Sequence, residues 1–91
     1  MILDYSKDFD KSIKKLKDKI ALNILHKLIE DLEKATNLSE ISNVEPIINH
    51  PFIYRIRRGD FRLVVEYING DVYIILLEYL RRNEKTYRNY N

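Results

Sequence analysis

The sequence predicts an α+β domain in which an N-terminal helical pair packs on one face of a mainly antiparallel sheet, in the order β-α-α-β-β-β. Apolar residues recur at helical spacing between residues 9 and 32 and then alternate with a period of two after residue 51. The two glycines of the chain, Gly59 and Gly70, divide the alternating part into strands. A chain of 91 residues has room for one core, so residues 1–91 are expected to form a single domain.

The first half is predicted to hold a short strand, Ile2–Tyr5, followed by the helices. The first helix is expected to begin near Ser6, because serine is a favoured N-cap residue. No glycine or proline separates the helices, so a tight turn or bend is expected around Lys17–Lys19. The apolar stripe of the pair consists of Phe9, Ile13, Leu16, either Ile20 or Ala21, Ile24, Leu25, Leu28, Ile29 and Leu32.

The second half is predicted to be an antiparallel meander of three strands. Thr36–Pro51 is polar and contains both prolines, so it is interpreted as a connecting loop. Turns are expected at Arg58–Asp60 and at Asn69–Gly70, which is a strong hairpin signal. Residues 72–79 are apolar on both faces, and the last strand is therefore predicted to lie in the middle of the sheet.

Composition excludes several classes of protein. Hydrophobic residues make up 45% and charged residues 33%, which is ordinary for a globular chain. The absence of cysteine excludes disulfides and thiolate metal sites. No apolar run reaches the roughly 18 residues of a membrane span, and the N-terminus lacks the features of a signal peptide, so a cytoplasmic location is expected. His26 and His50 stand far apart, and neither a metal nor another cofactor is predicted.

The two kinds of basic residue are segregated along the chain. Residues 1–50 contain eight lysines and no arginine, whereas residues 51–91 contain seven arginines and one lysine. The planar guanidinium group grips a phosphate at two points, which lysine does not do. This distribution predicts a phosphate-handling surface in the C-terminal part. The alternative is that the arginines only solvate exposed strands.

Three arginines are predicted to lie together on the sheet. Arg55 and Arg57 point to the same side of one strand, and the tight turn that follows brings Arg62 close to them. Like charges repel, so the arrangement indicates a bound phosphate chain. The alternative is neutralisation by Glu66 and Glu78 on adjacent strands.

A second basic group follows the last strand. An exposed Tyr87 among cations is suited to stacking on a nucleotide base or to proton transfer. The alternative is a solvated basic tail with no function. The cations of this group are Arg81, Arg82, Lys85 and Arg88.

The stretch Tyr54–Val65, YRIRRGDFRLVV, resembles the Y-R-I-R-x-G-D-Y-R-hydrophobic signature of the RelE/ParE superfamily of type II toxins. The element order and length are similar as well, and Ile41–Ile48 resembles the linker that precedes the signature. RelE-like members cleave messenger RNA in the ribosomal A site and are neutralised by a cognate antitoxin. ParE-like members poison DNA gyrase without turnover. A third alternative is an inactive relative that only binds nucleic acid.

The resemblance to RelE-like toxins implies a toxin that inhibits translation as a metal-independent endoribonuclease (an mRNA interferase), working without cofactor. The ribose 2′-OH would attack its own 3′-phosphate and leave a 2′,3′-cyclic phosphate. Leu80 stands where many relatives have histidine, and arginines replace the paired lysines. The candidate base is Tyr87. The implied catalytic residues are Arg62, Arg81 and Tyr87, and the implied RNA- or phosphate-binding residues are Arg55, Arg57, Arg58, Arg82, Lys85 and Arg88.

Overall fold

The computed structural model describes residues 1–83, and residues 84–91 lie outside the description. Five strands form one sheet in the order β1-β5-β4-β3-β2, in which β1 runs parallel to β5 and the other neighbours are antiparallel. This arrangement confirms the predicted α+β class and the predicted interior position of the last strand. The elements are β1 (Ile2–Tyr5), α1 (Lys7–Leu16), α2 (Lys19–Lys34), a 3-10 helix (Leu38–Glu40), β2 (Val44–Ile47), β3 (His50–Arg58), β4 (Phe61–Glu66) and β5 (Tyr73–Arg81).

Two capping side chains fix the helical pair. The Ser6 hydroxyl accepts a hydrogen bond from the Phe9 N–H at 3.0 Å and begins α1. Lys17 ends α1 in the left-handed conformation, with φ 45°. The Asp18 carboxylate then accepts the Ile20 and Ala21 N–H groups at 2.9 and 3.1 Å and begins α2. Two residues therefore join the helices, within the segment that the sequence predicts.

The helices cover one face of the sheet, as their apolar stripe predicts. Leu28 is 1% exposed and packs in a single core with side chains from the three strands β3, β4 and β5. The Tyr79 hydroxyl donates to the Ala21 carbonyl at 2.8 Å, which ties β5 to α2. The buried residues of this core include Phe9, Leu25, Leu32, Ile56, Leu63, Val65, Ile74 and Leu76.

The prediction of an unstructured loop over Thr36–Pro51 is wrong. This segment contains the 3-10 helix, the strand β2 and the start of β3 at His50. Asn49 adopts φ 69° and allows the chain to reverse between β2 and β3. Pro46 is compatible with β2 because this strand lies at the edge of the sheet, where one side of the backbone needs no partner. No helix among residues 1–83 is long and apolar enough to cross a membrane.

Leu28→Ala is expected to lower the free energy of unfolding by about 2–5 kcal/mol, because it removes a fully buried side chain. Urea denaturation followed by circular dichroism measures the change. Leu22→Ala is the matched control on the same helix, since Leu22 is 38% exposed. A loss below about 0.5 kcal/mol for Leu28→Ala, the range of surface changes, would contradict the observed packing of α2.

Candidate nucleic-acid interface

The sheet face opposite the helices, here called the second face, carries a group of arginines. Side chains alternate along a strand, so Arg55 and Arg57 point away from the buried Ile56. Arg57 lies directly opposite Arg62 in the β3–β4 register. The structure therefore brings together the three arginines that the spacing places on one face.

Arg82 joins these residues from the end of β5. Its backbone N–H donates to the Asp60 carbonyl at 2.7 Å, which holds it beside the β3–β4 turn. We call Arg55, Arg57, Arg62 and Arg82 the arginine cluster. A cavity of about 300 Å³ opens at this cluster, and its lining residues are Asn43, Arg57, Gly59, Arg62 and Arg82.

The arginine cluster creates a concentrated positive potential. Burial, and then the charges of Arg57, Arg82 and Arg55, lower the pKa of Arg62 from its ordinary value. Arg62 is held in this position by two hydrogen bonds from Nη1, to the carbonyls of Gly59 and Phe61. Like charges directly opposite one another on neighbouring strands are unfavourable, so a bound anion would stabilise the cluster.

Glu45 is the acidic member of the site, and the sequence interpretation missed it. The Nε of Arg57 lies 2.8 Å from Oε1, and Nη2 of Arg55 lies 3.9 Å from Oε2. The carboxylate comes from β2, whose register places Glu45 opposite Arg55. The sequence prediction treated this segment as a loop. Asn49, a residue type that tolerates a positive φ, stands between the short apolar run Pro46–Ile48 and the alternating stretch from Phe52. It was the available signal for a hairpin that would bring Glu45 to the arginines.

Glu45 adds a chemical capacity that arginine lacks. A guanidinium group has no acceptor and does not lose its proton in proteins, whereas an ionised carboxylate accepts protons. The Glu45 side chain is 41% exposed and so is accessible from solvent. The site therefore combines cations that stabilise negative charge with one group able to receive a proton.

Arg81 does not lie on the second face. Its Nη2 is 2.8 Å from Oδ2 of Asp18, and its guanidinium carbon is 5.5 Å from the centre of the Phe61 ring, on the side of the helices. Arg62 and Arg81, which the resemblance implies as catalytic residues, therefore lie on opposite faces of the sheet.

A β-bulge explains the reversal. Val64 pairs with Glu78 but Val65 pairs with Leu76, so Leu77 is an extra residue in β5. One inserted residue exchanges the faces of all side chains that follow it. Simple alternation from Leu76 places Arg81 on the second face, whereas the bulge turns it toward the helices and turns Arg82 toward the cluster.

Arg58 also lies apart from the cluster. Its Nη1 donates to the carbonyls of Ser42 and Arg57, each at 2.8 Å. It lines a different cavity, together with Asp31 and Glu40. The geometry therefore does not support the prediction that Arg58 binds phosphate together with the arginine cluster.

The predicted roles of Lys85, Tyr87 and Arg88 fall outside the described residues and stay predictions. Within residues 1–83, no group of three or more His, Cys, Asp or Glu side chains is placed so that it could hold a metal ion.

Comparisons with known proteins connect this fold and site to one family. The family model described as "ParE toxin of type II toxin-antitoxin system, parDE" matches residues 3–85. No curated protein sequence matches the chain significantly.

The solved structures similar to this chain include two toxin–antitoxin complexes. A chain of the RelB–RelE antitoxin–toxin complex from Methanococcus jannaschii is 26% identical over 87% of this chain and 89% of that one, with a TM-score of 0.71. A chain of the RelBE2 toxin–antitoxin complex from Mycobacterium tuberculosis shares the fold at 16% identity, over 89% of this chain and 96% of that one, with a TM-score of 0.69. Since the family model covers nearly the whole sequence, this protein belongs to the ParE toxin family of type II toxin–antitoxin systems, within the RelE/ParE superfamily.

Proposed function

We propose that this toxin is an endoribonuclease that cleaves messenger RNA in the ribosomal A site and thereby inhibits translation. The observation that carries the proposal is the arginine cluster of the second face, in which Arg57, Arg62 and Arg82 line one cavity and Glu45 is paired with Arg57. Four guanidinium groups fit a polyanionic backbone, because each can grip a phosphate through two parallel hydrogen bonds. A carboxylate next to these cations fits a reaction in which a hydroxyl group loses its proton.

The reaction that fits these groups is attack of the ribose 2′-OH on the adjacent phosphorus. The new bond joins the 2′-oxygen to phosphorus, the bond from phosphorus to the 5′-oxygen breaks, and the products carry a 2′,3′-cyclic phosphate and a 5′-hydroxyl. Glu45 receives the 2′-OH proton in this proposal. Arg62 and its neighbours stabilise the charge that develops on the phosphorane, and protein charges aimed at a transition state commonly give the largest share of catalysis.

We include Tyr87 in the proposed active site because the resemblance to RelE-like toxins implies it. Its hydroxyl is the candidate acid for the leaving 5′-oxygen, and it is also the second candidate for the base. Arginine and tyrosine side chains supply the charges and protons, so the proposed chemistry is independent of metal. Lys85 and Arg88 complete the proposed RNA contacts.

The proposed partner is a cognate antitoxin that holds the toxin inactive. The two solved structures described above come from toxin–antitoxin complexes, which supports the extension to this chain. A second function is favoured by the name of the matching family model, which refers to ParE. ParE-like toxins poison DNA gyrase, and such binding needs no cleavage centre.

A paired assay with the purified toxin distinguishes the two functions. We expect cleavage of mRNA on ribosomes whose A site is empty, and unchanged supercoiling by DNA gyrase at the same toxin concentration. Primer extension and agarose gels measure the two activities. Intact mRNA together with inhibited supercoiling would overturn the ribonuclease proposal in favour of the gyrase poison.

A further inference from the structure

Building on the proposed function, we infer that Arg82 is the cation from the end of β5 that holds the RNA phosphate, and that Arg81 is a positioning residue that acts through Asp18. The two arginines are adjacent in sequence and identical in type, but the bulge in β5 sends them to opposite faces. Of these two arginines, Arg82 lines the cavity of the arginine cluster and Arg81 does not.

The contacts of the Arg81 side chain fix the end of β5 to the helices. Its guanidinium group bonds the carboxylate of Asp18 at 2.8 Å and lies against the ring of Phe61, a buried core residue. Asp18 also caps α2 through the N–H groups of Ile20 and Ala21, so this carboxylate is fixed from two directions. Arg81 therefore ties the end of β5 to the join between the helices.

This anchor determines where Arg82 can point. The Arg81 side chain is paired with Asp18 on the helix side of the sheet. The backbone N–H of Arg82 donates a hydrogen bond to the Asp60 carbonyl at 2.7 Å. With the backbone fixed at both residues, the Arg82 side chain is directed toward Arg57 and Arg62. Loss of the Arg81–Asp18 pair would release the strand end and misplace Arg82 without removing any charge from the site.

The matched variants Arg81→Gln and Arg82→Gln test this inference, because each removes one charge from neighbouring positions. Binding of a single-stranded RNA with 2′-deoxyribose at the cleavage site is measured by fluorescence anisotropy at several salt concentrations. A lost phosphate contact lowers the slope of log K against log salt by about 0.7 for a single strand. We expect this decrease for Arg82→Gln, and an unchanged slope for Arg81→Gln, because in that variant Arg82 keeps its charge beside the RNA although its orientation is lost.

Asp18→Asn tests the route through which Arg81 acts. Asparagine caps a helix as well as aspartate does, so this change removes the ion pair and keeps the cap. We expect Asp18→Asn and Arg81→Gln to slow cleavage by the same factor, up to about 10²-fold as for a misplaced group. The double variant should be no slower than either, and Arg81→Lys, which keeps the charge, should restore most of the rate.

A lower salt slope in Arg81→Gln, an unchanged slope in Arg82→Gln, or a wild-type rate in Asp18→Asn beside a slow Arg81→Gln would each overturn the inference. Pyrophosphate binding, measured by calorimetry, separates this failure from failure of the proposed function. If the wild-type toxin neither binds nor cuts RNA, Arg82→Gln should still weaken pyrophosphate binding about tenfold or more, as expected for a bond to a charged group, while Arg81→Gln does not.

Discussion

Glu45→Gln is expected to slow cleavage of ribosome-bound mRNA by about 10²–10⁴-fold, the usual contribution of a positioned general base. The amide keeps the size of the side chain and loses the capacity to accept the proton. It also releases Arg57 and Arg55 from their ion pairs, so RNA binding should become tighter while the chemical step becomes slower. Single-turnover kinetics on programmed ribosomes separate these two effects.

Glu66→Gln is the control for Glu45→Gln, because Glu66 is a carboxylate on the same face but at the opposite end of β4 from Arg62. It should cleave at a rate close to that of the parent. A parental rate for Glu45→Gln, combined with a loss of about 10²–10⁴-fold in Tyr87→Phe, would contradict the role of Glu45 and identify Tyr87 as the base.

Arg62→Gln is expected to abolish growth arrest and to reduce cleavage by about 10²–10³-fold, as does removal of one donor to a developing oxyanion. Arg62 is directly opposite Arg57, lies near the charges of the other cluster members and lines the cavity, so it is well placed beside a bound phosphate. Induced expression in a host without the antitoxin measures toxicity, and the purified toxin gives the rate.

Arg58→Gln is the matched control for Arg62→Gln. It removes an arginine from the same hairpin, but one that lies on the helix side and bonds the Ser42 carbonyl. We expect it to remain toxic. Undiminished toxicity of Arg62→Gln in a folded protein would exclude the arginine cluster as the active site.

The sequence was sufficient for most of the fold because its signals are local. Ser6 caps a helix, the apolar stripe repeats at helical spacing, and Gly59, with φ 56°, permits the turn between β3 and β4. The strand β2 escaped prediction because it is four residues long and contains Pro46. What makes it a strand is its pairing with β3, which is a tertiary interaction.

The candidate site was predictable only as far as simple alternation holds. Arg55, Arg57 and Arg62 follow that rule, and the structure brings them together. Arg81 and Arg82 do not, because the bulge at Leu77 depends on how β5 pairs with β4 and leaves no mark in the sequence. Glu45 was missed for a related reason, since its position beside Arg57 depends on the pairing of β2.

A single substitution in the substrate shows whether the 2′-OH attacks ribosome-bound mRNA. An mRNA with 2′-deoxyribose at the one nucleotide before the cleaved bond is placed in the A site next to an all-ribose control. We expect rapid cleavage of the control, with a 2′,3′-cyclic phosphate and a 5′-hydroxyl at the new ends, and an uncut deoxy substrate. Cleavage of both substrates at equal rates, or of neither, would contradict this mechanism.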